Sequence, residues 1–340
     1  MLQIERITSN KGNGNIEKEI IEYRHKDENS NELNLTRERV SRIWQLENLP
    51  NLEKLTLRWN MIKKIENFEN LSKLTSLDLN DNQIEKLENL ENLVHLEFLD
   101  LSYNRISKLE GLENLVLLKE LHLVHNKIEV IEGIENLCNL EYLEFGDNRI
   151  KQIKNLDGLV NLKRLFLGAN QIRKMKNLEK LTSLEELNLT GNAITVVEGL
   201  ENLVNLRVLS LAQNGISKID GFSSLTKLKT LDLNDNRIDN IENIDQISGI
   251  NTLWIRKNNL DDWKQLYQLR AITNLKSLTM EMNPIYSSDY TYRNRMNQIL
   301  PNINLLDGFP LNWKQGDPYQ ELPKEFYSYF DEEERTIALE

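Results

Sequence analysis

The residues of this 340-residue chain that could do chemistry are few, and they fall on a fixed spacing. Every twenty-second residue from Thr56 onward reads Thr56, Asp78, Asp100, His122, Glu144, Phe166, Asn188, Ser210, Asp232 and Trp254, and a step of 25 then leads to Thr279. Asp78 and Asp100 on adjacent elements suggest a paired-carboxylate acid–base site. An open surface that does not exclude water argues against it. His122 and His125 could share a metal, but no third ligand of suitable type and spacing accompanies them. The two Asn-Asp-Asn runs at 80–82 and 234–236 do not continue into a calcium loop, and no glycine-rich phosphate loop is present. The chain therefore reads as a non-enzyme with no cofactor and no metal. What remains is recognition. Phe166 and Trp254, with Tyr142, are large aromatics expected to face solvent among Asp78, Asp81, Asp100, Glu144, Asp147, Asp232 and Asp235. Aromatics in a polar surround have the composition of a binding hot spot. The competing expectation is solubilising charge, since carboxylates are frequent along the whole chain.

The elements that must hold these residues repeat with the same period. An asparagine recurs at Asn60, Asn82, Asn104, Asn126, Asn148, Asn170, Asn192, Asn214, Asn236 and Asn258, and again at Asn283. Before it stands an alternating Leu-x-Leu, as in Leu99 and Leu101, which predicts a short strand with its leucines inward. Seven residues after it comes a position held only by Asn or Gly from Asn67 to Asn243, which predicts a left-handed turn. A Leu-x-x-Leu-x-x-Leu spacing such as Leu112, Leu115 and Leu118 follows and suits a 3₁₀ or α turn. Repetition of this kind is similar to the leucine-rich repeat. It implies an α/β solenoid: a curved parallel sheet of 11 to 12 short strands with the turns on its convex side and a helical C-terminal cap.

The ends depart from the period. Residues 1–29 form a polar N-terminal segment, with a flexible Gly-Asn-Gly-Asn at 12–15 and a helix or strand over 16–25 that covers the first coil. The solenoid proper spans 30–282. Residues 283–308 replace a normal coil, with a helix capped by Ser288 or Asp289 and stopped by Pro301. The tail, 309–340, reads as an extended acidic segment partly packed through Trp313, Tyr319, Phe326 or Phe330.

Composition narrows the partner. A net charge of −11 argues against a nucleic-acid backbone and favours a protein with a basic surface. The single cysteine, Cys138, excludes an internal disulfide; it occupies a slot filled elsewhere by Val94, Val116, Val160, Thr182 and Val204 and is expected to be packed. The beginning of the chain has no apolar run of signal-peptide length and nothing approaches a membrane span. An intracellular protein, cytoplasmic or nuclear and monomeric apart from its partner, is the expectation.

Several local stretches carry a closer resemblance: LDLSYN at 99–104, LEFGDNRI at 143–150, LFLGANQI at 165–172, NGISKIDG at 214–221, LWIRKNNLDDW at 253–263 and YRNRMNQILPNINLLDG at 292–308. In one register from about 33 to 308, the chain resembles the leucine-rich-repeat regulatory subunit of protein phosphatase 1. That family is non-catalytic and holds the type-1 serine/threonine phosphatase catalytic subunit on its concave wall. The resemblance implies contacts at Asp100, Glu144, Phe166, Asp232 and Trp254. It departs at three further contact positions, where His122 stands for the family's Phe, Thr252 for Glu and Thr279 for Tyr. Other occupants of such a platform are a cytoskeletal or ciliary partner or, for an adhesin of the internalin kind, a target outside the cell.

Overall fold

A computed structural model of the chain describes residues 2–9, 16–23, 30–286 and 290–311. Four strands lead in: β1 (Leu2–Ser9), β2 (Ile16–Tyr23), β3 (Glu32–Asn34) and β4 (Val40–Trp44). Then come eleven strands of three residues each: β5 (Lys54–Thr56), β6 (Ser76–Asp78), β7 (Phe98–Asp100), β8 (Glu120–His122), β9 (Tyr142–Glu144), β10 (Arg164–Phe166), β11 (Glu186–Asn188), β12 (Val208–Ser210), β13 (Thr230–Asp232), β14 (Thr252–Trp254) and β15 (Ser277–Thr279). The chain closes with α1 (Trp263–Leu266) before β15, and with α2 (Tyr290–Ile299), β16 (Leu305–Leu306) and β17 (Phe309–Pro310) after it. The main sheet has 14 strands, β3 and β5 to β17 in sequence order, two more than the upper expectation because β16 and β17 extend it. Neighbouring repeat strands pair in parallel with leucine opposite leucine, as in Leu121, Leu143 and Leu165.

The central leucine of each strand points into the solenoid, as does the apolar residue two positions on. With the isoleucines and leucines of the back turns they form one continuous core from Leu2 to Leu311. The convex side is less regular than the spacing suggests. Most coils make successive single turns with i to i+3 bonds, as from Leu115 N to Leu112 O at 3.0 Å and from Leu118 N to Leu115 O at 3.0 Å. Among the described residues of the coils, helical segments lie at 46–48, 244–247, 263–266 and 267–271.

The asparagine satisfies backbone that the tight coil would otherwise strand. The Asn148 Nδ2 group donates to Leu123 O at 2.8 Å, Phe145 O at 3.1 Å and Gly146 O at 3.2 Å, while its Oδ1 accepts from Ile128 N at 3.0 Å. Two of those partners belong to the preceding coil, so each amide both closes its own turn and bonds the stack together.

The Asn-or-Gly position is left-handed in every coil, from Asn67 at φ 66° to Asn243 at φ 62°. Its two residue types are two solutions to one contact. Asn155 Nδ2 donates to Ile131 O at 2.8 Å, 24 residues back. At Gly199 the equivalent carbonyl, Met175 O, lies 2.2 Å from where a Cβ would be, so no side chain fits. Gly111 is the roomy exception, with Leu87 O at 3.8 Å. A second left-handed column is invisible in the sequence. Trp59, Asp81, Tyr103, His125, Asp147, Ala169, Gln213, Asp235, Lys257 and Met282 all have φ between 51° and 60°. From Trp59 to Lys257 each is held there by a cross-coil bond, such as Tyr103 N to Val124 O at 2.7 Å. Only one glycine, Gly191, occurs in that column.

Both ends are capped. The N-terminal segment is not a helix: β1 lies between β2 and β4 in a three-stranded antiparallel sheet. Leu2 and Ile4 of β1 are buried and Ile21 of β2 packs partly buried against the core, whereas Ile20 of β2 is 64% exposed, so both strands contribute covering side chains. The Gly-Asn-Gly-Asn run lies outside the described residues. At the other end α2 stops one residue before Leu300, two before Pro301, and seats Tyr292 in the core, its hydroxyl donating to Asp307 Oδ2 at 3.0 Å. Asp307 Oδ1 accepts Met280 N at 2.8 Å and Glu281 N at 3.0 Å. The expected caps Ser288 and Asp289, and Trp313, Tyr319, Phe326 and Phe330 of the tail, lie outside the described residues. Cys138 is exposed, contrary to the packed position its valine-filled column suggested, because Val94, Val116, Val160 and Val204 also face outward on the convex side.

Replacing Asn148 by Ala leaves Ile128 N without its acceptor and Leu123 O with only the longer Asn126 Nδ2 bond at 3.3 Å, and urea unfolding should show a loss of roughly 3 kcal/mol. Gly111→Asn should change stability by about 1 kcal/mol or less, whereas Gly199→Asn, forced against Met175 O, should lower it by about 2 kcal/mol or more in the same measurement.

Candidate concave recognition surface

Each three-residue strand presents its first and third residues to the concave side. Two columns of free side chains therefore run across the coils, one through Phe98, Glu120, Tyr142 and Arg164, the other through Asp100, His122, Glu144 and Phe166. Where aromatic residues alternate between the columns they meet on the diagonal. The Phe98 and His122 rings are 5.3 Å apart, His122 and Tyr142 4.6 Å, and Tyr142 and Phe166 5.2 Å. The result is a continuous ladder of rings over four coils, about 14 Å long at the usual strand spacing. The Arg164 guanidinium lies 4.9 Å from the Tyr142 ring centre and closes one side.

Carboxylates border the ladder. Glu144 Oε2 accepts from the Tyr142 hydroxyl at 2.9 Å and lies 3.2 Å from His122 Nδ1. Glu120 Oε2 is 3.5 Å from the other imidazole nitrogen. Burial opposes charge on His122, but Glu144, Asp100 and Glu120 outweigh it and hold its pKa above the ordinary imidazole value. Burial and the Glu144 carboxylate push the Tyr142 hydroxyl well above the usual phenol range, so it stays a donor.

The aspartates of the second column share a local task. Asp78 Oδ1 accepts from Asn80 N at 3.0 Å, Asp100 Oδ1 from Ser102 N at 2.8 Å and Asp232 Oδ1 from Asn234 N at 2.9 Å. Asn188 does the same for Thr190 N at 2.9 Å, and Asn34 for Thr36 N at 3.0 Å. A neutral amide thus serves the turn equally well, and the choice of Asp adds only charge. For Asp232 that charge is unfavourable to the fold: burial raises its pKa, with the Asn234 N–H pulling the other way and Asp235 adding to the rise. Burial likewise raises Asp78.

The sequence-expected site residues do not form one cluster. His122, Glu144 and Phe166 belong to the ladder, and Asp100 stands beside it, only 9% exposed and also accepting from Asn80 Nδ2 at 3.1 Å. Asp232 and Trp254 pair across β13 and β14, four strands beyond Phe166, on the order of 19 Å away. Thr252, 7% exposed between Thr230 and Ser277, offers little surface, and Thr279 sits opposite Trp254. Phe98 and Glu120 escaped the sequence reading because it read the second column in full and only Tyr142 and Thr252 of the first. The signal was an aromatic or histidine at alternating steps of 24, 20 and 24 residues. His122 and His125 do not converge on a metal: His125 stacks on Tyr103 at the rim, 5.1 Å between centres, and pairs with Asp147. Among the described residues no group of three His, Cys, Asp or Glu side chains could hold a metal ion, and no helix is long and apolar enough to cross a membrane.

Comparison with known proteins agrees with this geometry. The model of two-copy leucine-rich repeats matches in successive pairs over residues 50–203, and a second leucine-rich-repeat model matches 185–321. This is a leucine-rich-repeat protein. Among solved structures of such repeats, the internalin InlF of Listeria monocytogenes is 29% identical, with a TM-score of 0.66 over 82% of this chain and 86% of that one. A leucine-rich-repeat protein of Leptospira interrogans is 26% identical, with a TM-score of 0.62 over 76% and 73%. The TLR13 chain of a complex with a single-stranded RNA is 28% identical, with a TM-score of 0.65 over 77% of this chain but only 40% of its own. No curated protein matches the sequence significantly. The leucine-rich-repeat fold is a protein-interaction scaffold and typically non-catalytic, so the ladder is read as a recognition surface.

Because its charge opposes folding, Asp232→Asn should raise stability at pH 7 by up to about 1 kcal/mol. The sign follows from a folded pKa above the unfolded one. Wild-type stability then rises as pH falls through the folded value, and the advantage of the variant should vanish below about pH 4, as thermal melts at both pH values would report.

Proposed function

We propose that the chain is a non-catalytic scaffold that docks a partner protein on its concave wall, and that the partner is the catalytic subunit of a type-1 serine/threonine phosphatase. The observation that carries the docking is the ring ladder Phe98–His122–Tyr142–Phe166 with Glu120, Glu144 and Asp100 on its border. Contiguous aromatics give apolar area at low entropic cost, and the carboxylates select a basic surface. The identity of the partner is supported by residues in family register: Asp100, Glu144, Phe166, Asp232 and Trp254. Two anchors about 19 Å apart, Phe166 and Trp254, suit a folded partner spanning the wall better than a short peptide. Scaffold and phosphatase would act together inside the cell, the scaffold altering where or when the enzyme works.

A second reading is favoured by one observation, the 29% identity to internalin InlF over 82% of this chain. It makes the same wall an extracellular adhesive surface. Pull-down with the purified phosphatase catalytic subunit separates the two. Wild type should retain it, and Phe166→Ala and Trp254→Ala should each lose about 2 kcal/mol of binding, roughly thirtyfold. Asp100→Asn combined with Asp232→Asn, which keeps the turn bonds, should weaken binding and flatten its salt dependence. Equal recovery of every variant overturns the site. No recovery of wild type, together with finding the native protein outside the cell, overturns the phosphatase and leaves the adhesin.

A further inference from the structure

His122 is the ring of the ladder whose charge changes near neutral pH, and every element packed against it faces it with ionisable or polar groups. Its own strand supplies Glu120, 3.5 Å from Nε2. From β9 come Glu144, 3.2 Å from Nδ1, and Tyr142, whose hydroxyl donates to the same Glu144 oxygen. From β7 comes Asp100, held by Asn80 and Ser102, with Asp78 of β6 behind it. Arg164 of β10 lies over the Tyr142 ring. The imidazolium faces Glu144 through Nδ1, and its Nε2, buried without a hydrogen-bond partner, holds positive charge 3.5 Å from Glu120. When the ring loses its proton both glutamates lose that neighbouring cation, Glu144 keeps the Tyr142 hydroxyl as a donor, and the centre of the wall becomes more negative by one charge.

We propose that His122 is a built-in competitor for a cationic partner: protonated, it occupies Glu120 and Glu144 as an internal cation, and on losing its proton it releases them to a lysine or arginine of the docking surface. The arrangement makes docking weaken as pH falls. It rests on the reading of the ladder as the docking site for a basic partner, and it is specific to a chain with histidine here, since a Phe at this position leaves both carboxylates permanently available. Geometry carries it. The imidazole lies between two carboxylates in the middle of the ladder, where a partner's apolar contact and its cation would both have to land. The balance of charge agrees, because the surrounding carboxylates keep the proton on the ring against the effect of burial.

The test uses the full chain and a synthetic N-acetylated, C-amidated leucine–lysine amphipathic peptide, whose charge does not change between pH 6 and 8, so the switch is measured without the phosphatase. Wild-type affinity should rise roughly fivefold from pH 6 to 8, the scale of one contact between unit charges in water. His122→Phe should bind at both pH values with little change. By NMR, the His122 imidazole of the free protein should titrate above its ordinary range and move down in Glu144→Gln, a readout that needs no partner. Equal pH slopes in wild type and His122→Phe, an imidazole unmoved by Glu144→Gln, or no binding of the peptide at any pH would each overturn the switch. The phosphatase is run in parallel. If it fails to bind while the peptide shows the slope, the partner is wrong and the switch stands; if it binds with the same affinity at pH 6 and 8, the switch is overturned and the partner stands.

Discussion

The amide of the recurring asparagine is the interaction on which the molecule depends. A coil of 22 residues turns too tightly for its front-edge backbone to pair with itself, yet that backbone is buried. One side chain carrying two donors and an acceptor resolves the conflict. Asn104, for example, reaches Leu79 O in the preceding coil and Leu101 O in its own, while its Oδ1 receives Ile84 N. The same bond that closes a coil requires a neighbour, so no coil is complete alone. The two caps follow from this. At the C-terminal end Asp307, anchored by Tyr292, takes up the final backbone N–H groups, as an added coil would otherwise do.

Uniform coils leave a wall whose outward freedom lies in its two front columns and the left-handed column at its rim. Inward leucines and the asparagine are dictated by packing, and the Asn-or-Gly position by its turn. Side chains in the columns are nearly free of such duties, which gives their chemistry meaning. The aspartates show how to separate the two. Asn188 and Asn34 make the same turn bond as Asp78, Asp100 and Asp232, so the bond explains the short polar side chain and leaves the charge unexplained. A charge that the fold does not need, and that burial disfavours at Asp78 and Asp232, is free to serve the docking proposed for this wall.

The same division decides what the sequence could reveal. The period, the inward leucines, the asparagine phase and the Asn-or-Gly turn are set by one-dimensional spacing, and all were legible. The left-handed column at Trp59, Tyr103 and His125 was not, because cross-coil backbone bonds offset its strain and any residue type is accepted. Nor was β1 as a covering strand, since its Leu2 and Ile4 lie outside the period. Phe166 and Trp254 could be placed on the wall from register alone. Their separation into two anchors, and the joining of Phe166 to Phe98 through His122 and Tyr142, required the diagonal geometry of paired strands.

That diagonal is why a histidine matters more here than its type suggests. In a single column His122 would be one polar residue among Asp100, Glu144 and Asn188. On the diagonal it becomes a rung, with Phe98 on one side and Tyr142 on the other, and with a carboxylate near each nitrogen. Apolar packing favours the neutral ring and the carboxylates favour the charged one. The carboxylates outweigh desolvation and hold the proton on the ring above its ordinary range. A phenylalanine would settle the contest for packing and a lysine for charge. An imidazole leaves it to the proton concentration, in a part of this scaffold where the fold imposes no preference.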